Sequence, residues 1–203
     1  MSNPGALPFR RAIKRLYKIV SAMYNDSILI LEGSEDLATD VVDRDEEADK
    51  LQWFIERQFN MMLEDSSLSR KLQASSFEGV VYSNVARYLE RIADHACRFA
   101  EVGYVAGLIP GRKMLPLAKE ASEILEDAMK SFINNDPHKA TVVIDKGKKA
   151  VRKAQTYSEN RYKKEMEHPL EFSIAMDAIM RTIAYSTDIS EAAINYSAKM
   201  GNK

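Results

Sequence analysis

The chain has 203 residues, of which 45% are hydrophobic and 29% charged, and its formal net charge is −1. This balance excludes an intrinsically disordered chain and does not indicate a nucleic-acid binder that relies on net positive charge. The single cysteine, Cys97, excludes an internal disulfide framework and is typical of a reducing compartment. No apolar run could span a bilayer and the first residues do not resemble a signal peptide. We therefore expect a cytoplasmic protein whose contact with membranes is at most peripheral.

Apolar residues recur at spacings of three and four through most of the chain, which predicts six helices and no strands. Gly33 is a stop signal for the first helix, Ser34 a cap for the second, and Asp136 with Pro137 the start of the fifth. The predicted helices cover about residues 8–32, 34–64, 75–107, 115–133, 137–167 and 170–200, with 65–69 as a loop. Several of these helices exceed ~25 residues, and long helices joined by short loops pack as antiparallel neighbours in a bundle.

The clearest break in the pattern is Pro110-Gly111, near the middle of the chain. It separates two sets of three predicted helices, so the sequence predicts an all-α fold of two tandem three-helix bundles, residues 1–110 and 111–203. A weak internal repeat agrees with this division. Residues 41–44 resemble 143–146, and residues 87–94 resemble 181–188.

Two pairs of acidic residues have helical spacing. Asp45 and Asp49 lie four residues apart in the second predicted helix, and Glu90 and Asp94 lie four apart in the third. Each pair shares one helix face, where two like charges repel unless a cation lies between them. Four carboxylates on adjacent helices would form an oxygen-rich site for a metal such as iron, manganese or zinc.

Helical wheels place these acids away from the apolar stripes, so we expect any metal site to lie on an outer surface rather than in a bundle core. The alternative is that the acids belong to solvated faces with ordinary ion pairs. Asp94 and Arg98 have the favourable i,i+4 order, and Arg87 precedes Glu90 by three residues. The residues alone leave both interpretations open.

Other candidate residues have simpler interpretations. His95 is expected at the edge of the core and Trp53 in packing or at an interface. The sequence contains no nucleophile elbow, phosphate-binding loop, dinucleotide fingerprint or Cys/His zinc cluster. We therefore predict no catalytic residues and no enzymatic activity.

Residues 87–96, continued by Phe99-Ala100-Glu101, closely resemble the signature helix of the PhoU family. Residues 41–51 are similar to the family's partner motif on the preceding helix. The resemblance extends over nearly the whole chain. It implies two three-helix bundles related by pseudo-two-fold symmetry, with multinuclear metal clusters held on the surface by paired acidic motifs. The ligands that it implies here are Asp45, Asp49, Glu90 and Asp94.

The resemblance also implies a function. A PhoU-like chain would regulate phosphate uptake negatively, and so maintain intracellular phosphate homeostasis, by contacting the ATPase of a phosphate transporter and a sensor kinase. Such a chain can form homodimers. Some archaeal relatives carry an N-terminal DNA-binding domain, and the first predicted helix here begins too early to leave room for one.

The second bundle departs from the family pattern. Alignment by the internal repeat puts Gly147, Val151 and Ala184 where the first bundle has three of its acids, and only Asp188 remains. Lysines crowd the same stretch of the fifth helix, and one carboxylate among ammonium groups will not hold a dication. We therefore expect metal at the first bundle only. The basic residues either contact an anion or partner or keep the helix solvated.

Two alternatives to a metal-binding regulator remain open. A metal-dependent phosphohydrolase would need a pocket and an open metal position, and a surface site without histidine ligands argues against it. A metal-free helical scaffold for a transporter or channel would need neither.

Overall fold

The computed structural model describes residues 7–108, 114–162 and 167–200, and this part of the chain is helical without strands. The predicted all-α class is confirmed. A short 3-10 turn, Glu35–Leu37, precedes the second helix. The α-helices are α1 (Phe9–Glu32), α2 (Ala38–Glu64), α3 (Ser66–Leu72), α4 (Ser76–Leu108), α5 (Met114–Asn134), α6 (Pro137–Tyr162) and α7 (Pro169–Met200).

The helix α3 was not predicted, because residues 65–69 were expected to form a loop. Asp65 begins it, since its Oδ1 accepts a hydrogen bond from the backbone N–H of Ser67 at 2.8 Å. Leu68 and Leu72 are buried and anchor the helix to the core. The prediction was wrong because seven residues are too few to show a helical period in the sequence.

Two predicted helix ends are confirmed. Gly33 ends α1 at φ 121°, a conformation that favours glycine, and the N–H of Ser34 bonds back to the carbonyl of Leu29 at 3.0 Å. Asp136 caps α6 by accepting from the N–H of Lys139 at 2.9 Å. The Ser34 side chain, in contrast, makes no cap bond, because the 3-10 turn precedes α2.

Two predictions fall at the limits of the described chain. The Pro110-Gly111 break lies outside the described residues. The fifth predicted helix was expected to reach residue 167, whereas Glu167 and His168 are described as non-helical and α7 begins at Pro169.

The six long helices form two groups of three, and the short helix α3 packs against α2. In the first group α4 packs against α1 and α2, and in the second α7 packs against α5 and α6. The central helices α4 and α7 also pack against each other, and α1 packs against α5. This arrangement is consistent with tandem three-helix bundles, while the domain boundary at residues 110 and 111 stays a prediction.

An aromatic cluster joins the two groups. The ring of Tyr82 on α4 lies 5.6 Å from Phe9 of α1, 5.4 Å from Phe132 of α5 and 6.2 Å from Tyr196 of α7, measured between centroids. Aromatic pairs at these separations contribute beyond the area they bury. The groups therefore share one continuous hydrophobic core. None of the described helices is long and apolar enough to cross a membrane.

Candidate functional site

The four predicted acids meet along the seam between α2 and α4. Burial raises the pKa of Asp45, and the charges of Asp49 and Asp94 raise it further. Burial also raises the pKa of Asp49, with Asp94 as the next cause. The pKa of Glu90 is raised by burial and then by Asp94, with smaller effects of the two α2 acids. The structure therefore brings the two pairs from separate helices into one electrostatic cluster, here called the acidic seam.

The acidic seam is less exposed than the helical wheels predicted. The side chains of Glu90 and Asp94 are only 19% and 31% exposed, and Asp45 and Asp49 are partly buried. The reason is that α4 is covered by α1, α2 and α7, so the face opposite its apolar stripe borders α2 instead of open solvent. The site is a surface seam with half-buried acids, rather than a fully exposed face.

Cys97 lies beside Asp45 and was not predicted to belong to the site. Oδ1 of Asp45 is buried and, within the described chain, accepts no hydrogen bond of ordinary geometry. The neighbouring thiol donates weakly to the carbonyl of Val41, with 3.9 Å between Sγ and O. Burial, followed by the charge of Asp45, raises the pKa of Cys97 to about 12, so the thiol stays protonated.

The ion pairs of the acidic seam differ from those predicted. Arg91 lies between the two α4 acids, with Nη1 3.1 Å from Oδ2 of Asp94 and Nε 3.5 Å from Oε2 of Glu90. Arg87 pairs with Glu56 of α2 at 3.0 Å instead of with Glu90. The expected pairs were wrong because the sequence gives helical spacing but not the positions of the α2 side chains. Exposed pairs of this kind stabilise by about 0–1 kcal/mol, so a ligand can displace them.

The donor set partly fits the metal implied by the resemblance. Carboxylate oxygens suit hard or borderline dications. The buried Oδ1 of Asp45 accepts no hydrogen bond of ordinary geometry and has only the weak Cys97 thiol beside it, so a cation would satisfy this acceptor better. The side chains are not already arranged around an ion, however. Among the described residues, no three Asp, Glu, His or Cys side chains converge closely enough to hold one. Metal binding at this seam would require Arg91 to move away and the carboxylates to turn inward.

The second group of helices has no equivalent acidic seam at the aligned position. At Gly147 the helices α6 and α7 approach so closely that an added Cβ would lie 2.6 Å from Oγ1 of Thr187. Lys146 points to α5, where its Nζ lies 3.2 Å from Oε2 of Glu123 and 3.9 Å from Oδ2 of Asp127. Part of the positive charge of the lysine cluster on α6 is therefore neutralised by acids of α5. Metal binding by the first bundle alone remains a prediction.

Two other residues that the sequence singled out, His95 and Trp53, lie outside the acidic seam. His95 is largely buried between α4 and α7, with Nδ1 3.9 Å from Oδ2 of Asp177. Burial is the main cause that lowers the pKa of His95. It lies at the core edge, as predicted. The side chain of Trp53 is 59% exposed on α2, which rules out a role in core packing and leaves the interface alternative.

Cys97 and Arg91 are the residues that sequence reasoning missed at the site. Cys97 follows Asp94 by three residues, so it lies on the same side of α4 as that acid. Its contact with Asp45 depends on how α2 and α4 are aligned, which no local pattern reveals.

These features define a class: an all-α protein of two joined three-helix groups that carries an acidic seam between two helices of the first group. Comparisons with known proteins agree. The chain superposes on PhoU from Pseudomonas aeruginosa with a TM-score of 0.74 and 18% identity, covering 95% of this chain and 96% of that one. It superposes on the phosphate transport system regulatory protein PhoU from Streptococcus pneumoniae with a TM-score of 0.79 and 16% identity, covering 95% and 94%. No curated protein sequence matches significantly.

Residues 13–103 match the family model of the PhoU domain. This segment contains both acidic pairs and nearly all of the first group of helices. The chain thus contains a PhoU domain over residues 13–103, in agreement with the sequence resemblance.

Proposed function

We propose that this protein is a non-enzymatic, cytoplasmic regulator of phosphate uptake that maintains intracellular phosphate homeostasis through contacts with a phosphate transporter's ATPase and a sensor kinase. The match of residues 13–103 to the PhoU domain carries the proposal. The structural likeness to a phosphate transport system regulatory protein supports it. Negative regulation and a dimeric state belong to the same proposal.

The proposal includes a metal cluster of iron, zinc or manganese at the acidic seam. Asp45, Asp49, Glu90 and Asp94 would hold it through carboxylate oxygens. The support is the buried Oδ1 of Asp45, which accepts no hydrogen bond of ordinary geometry and has the weakly donating thiol of Cys97 beside it. The pKa values of three of these acids are also raised, by burial and by the neighbouring carboxylates. A bound cation would neutralise the repulsion and fix α2 against α4. The metal would thus stabilise the structure and would not take part in catalysis.

A metal-free scaffold is the second candidate, and the ion pairs of Arg91 favour it. This side chain already pairs with both acids of α4 and supplies some of the compensation that a metal would provide. In that case the first group of helices would keep the same arrangement and bind its partners without a cofactor.

Elemental analysis tests the metal part of the proposal. Protein purified without chelator should contain a transition metal, and the Asp45→Ala/Glu90→Ala variant should lose most of it. A matched control is Asp145→Ala/Glu159→Ala, which removes two exposed acids from α6 and should leave the metal content unchanged. Equal metal content in wild type and the seam variant would remove these residues as ligands.

Binding measurements test the regulatory part. The protein should bind the purified phosphate-transporter ATPase or the cytoplasmic part of the sensor kinase from its own source, as measured by biolayer interferometry. Hydrolysis of p-nitrophenyl phosphate should stay at the level of a buffer control, with or without added Mn²⁺. Turnover that Asp49→Ala abolishes would instead support the phosphohydrolase alternative, and binding to neither component would contradict the proposed function.

A further inference from the structure

A groove of about 580 Å³ runs between α4 and α7 on the surface of the molecule. Its lining is mixed, and Val81 and Ala192 contribute apolar surface together with Val80, which is 41% exposed. Amide side chains line it from both helices, Asn84 from α4 and Asn195 from α7. The groove lies outside the acidic seam and is not explained by the metal proposal.

Two carboxylates, Asp188 and Glu191, face this groove from α7. Within the described chain neither forms an ion pair with a Lys, Arg or His side chain, although acids elsewhere on the surface commonly do so. Burial raises the pKa of Asp188, and the charge of Glu191 raises it further. The pair therefore carries negative charge that the chain itself leaves uncompensated.

The cations nearest the groove do not neutralise these acids. Arg87, next to Tyr88 in the sequence, pairs with Glu56 on the far side of α4 at 3.0 Å. Lys199 lines the opposite end of the groove, two helical turns beyond Glu191, and forms no ion pair in the described structure. The acidic end of the groove is therefore open to a positive charge from outside.

An aromatic ring adjoins the same acids. Tyr88 lines the groove, and its pKa is raised by burial first and then by the charges of Asp188 and Glu191, which places its hydroxyl near both. Its ring stacks on Tyr185 with centroids 6.3 Å apart, so its position is fixed. A ring face next to carboxylates attracts guanidinium and ammonium groups more strongly than either feature alone.

We propose that the groove between α4 and α7 is a docking site for an amphipathic helical segment of a partner protein, which places an arginine or lysine against Asp188 and Glu191 and its apolar residues on Val80 and Val81. The charge of the groove indicates the chemistry of the occupant, because a cationic side chain removes the repulsion between the two acids while its neighbours cover the apolar part of the lining. An apolar stripe with anchors one helical turn apart matches that part. This proposal rests on the proposed regulatory function, which supplies the identity of the partner. It adds the surface of this protein that the partner would contact.

The test uses a probe of defined chemistry. A short amphipathic peptide with one arginine between leucines at i−4 and i+3 is titrated into the full chain, and amide shifts are followed by NMR. Shifts should concentrate at Asn84, Tyr88 and Asn195. The Asp188→Asn/Glu191→Gln variant should bind roughly tenfold more weakly, because it retains shape and loses charge. The control Asp145→Asn/Glu159→Gln, with the same change in net charge, should bind like wild type.

Each outcome has one meaning. Equal binding by wild type and the groove variant, shifts confined to another surface, or equal binding of a peptide with glutamate in place of the arginine would overturn the proposal. Self-association of the chain that the groove variant abolishes would also overturn it, because the occupant would then be a second copy.

The proposed function is judged separately, with the transporter ATPase and the sensor kinase as ligands. Binding that the groove variant weakens would support both proposals, whereas binding that it leaves unchanged would overturn the docking site and retain the regulatory function. Peptide binding at the groove without binding to either component would support the docking site and contradict the proposed partners.

Discussion

Arg91 donates from Nη1 to Oδ2 of Asp94 over 3.1 Å. This bond occupies a carboxylate that is also proposed as a metal ligand. The same guanidinium also lies 3.5 Å from Glu90. The guanidinium of Arg91 and an external metal ion would therefore compete for the two acids of α4. If the seam binds a metal, this competition would make its metal content depend on Arg91, which is not itself a ligand.

Removal of Arg91 should strengthen metal binding. Arg91→Gln abolishes the competing ion pairs and one repelling positive charge, so the affinity for Mn²⁺ or Zn²⁺ should rise, by roughly fivefold if the pairs contribute about 1 kcal/mol. Isothermal titration of chelator-stripped protein measures this. Arg87→Gln is the control, because Arg87 pairs with Glu56 instead. Unchanged affinity in Arg91→Gln would show that the arginine does not compete with metal.

Loss of the Asp45 charge should stabilise the metal-free protein. The pKa of Asp45 is raised in the folded state, so the folded chain binds a proton at Asp45 more tightly than the unfolded chain does. The free energy of unfolding therefore falls as the pH rises from the ordinary aspartate pKa through the raised one. Asp45→Asn should therefore add about 0.5 kcal/mol, or roughly 1–2 °C in Tm, at neutral pH in EDTA. The difference should shrink as the pH is lowered toward the ordinary pKa of an aspartate, since Asp45 itself is then protonated.

The same variant distinguishes the two candidate functions when metal is present. If the seam binds a dication, Asp45→Asn should lower Tm in Mn²⁺ or Zn²⁺ and raise it in EDTA. A metal-free scaffold would show the increase under both conditions. Asp145→Asn, an exposed acid of α6, serves as the reference for the general effect of removing one negative charge.

Cys97 should react slowly in the folded protein. Its pKa of about 12 leaves little thiolate near neutral pH, so modification by Ellman's reagent at about pH 8 should be more than roughly a hundredfold slower than in the denatured chain. Asp45→Asn should speed the folded-state reaction, because the charge of Asp45 is the second cause of the raised pKa. Equal rates in the folded and denatured chains would contradict the burial of this thiol against α2.

Gly79 permits the close packing of α4 on α2. A Cβ at this position would lie 2.6 Å from Cδ2 of Phe59 and 2.7 Å from Cε of Met62. Gly79→Ala should therefore lower the free energy of unfolding by about 1 kcal/mol, since the ~1–3 kcal/mol cost of overpacking exceeds the ~1 kcal/mol gain in helix propensity. Chemical denaturation measures the change.

A second variant separates the steric clash with Phe59 from the effect of the substitution on helix propensity. Gly79→Ala combined with Phe59→Leu should recover part of the lost stability if the ring causes the strain. An increase in stability for Gly79→Ala alone would show that α2 and α4 are farther apart than described.

The sequence predicted the fold class and most helix ends because these depend on local chemistry. The period of apolar residues, the glycine at 33 and the cap at Asp136 each act over a few neighbouring positions. The short helix α3 was missed for the same reason, because its stability comes from burial of Leu68 and Leu72 rather than from a local repeat.

The pairing of Asp45 with Asp49, and of Glu90 with Asp94, was determined by the sequence alone, since a spacing of four residues places two side chains on one helix face. Only the tertiary structure decided that the two pairs meet, that Cys97 borders Asp45, and that Arg91 rather than Arg98 pairs with Asp94. It also decided that Asp188 and Glu191 face a groove beside α4. These relationships depend on the relative alignment of separate helices, which is set by the packing of a whole core and has no counterpart in any local pattern.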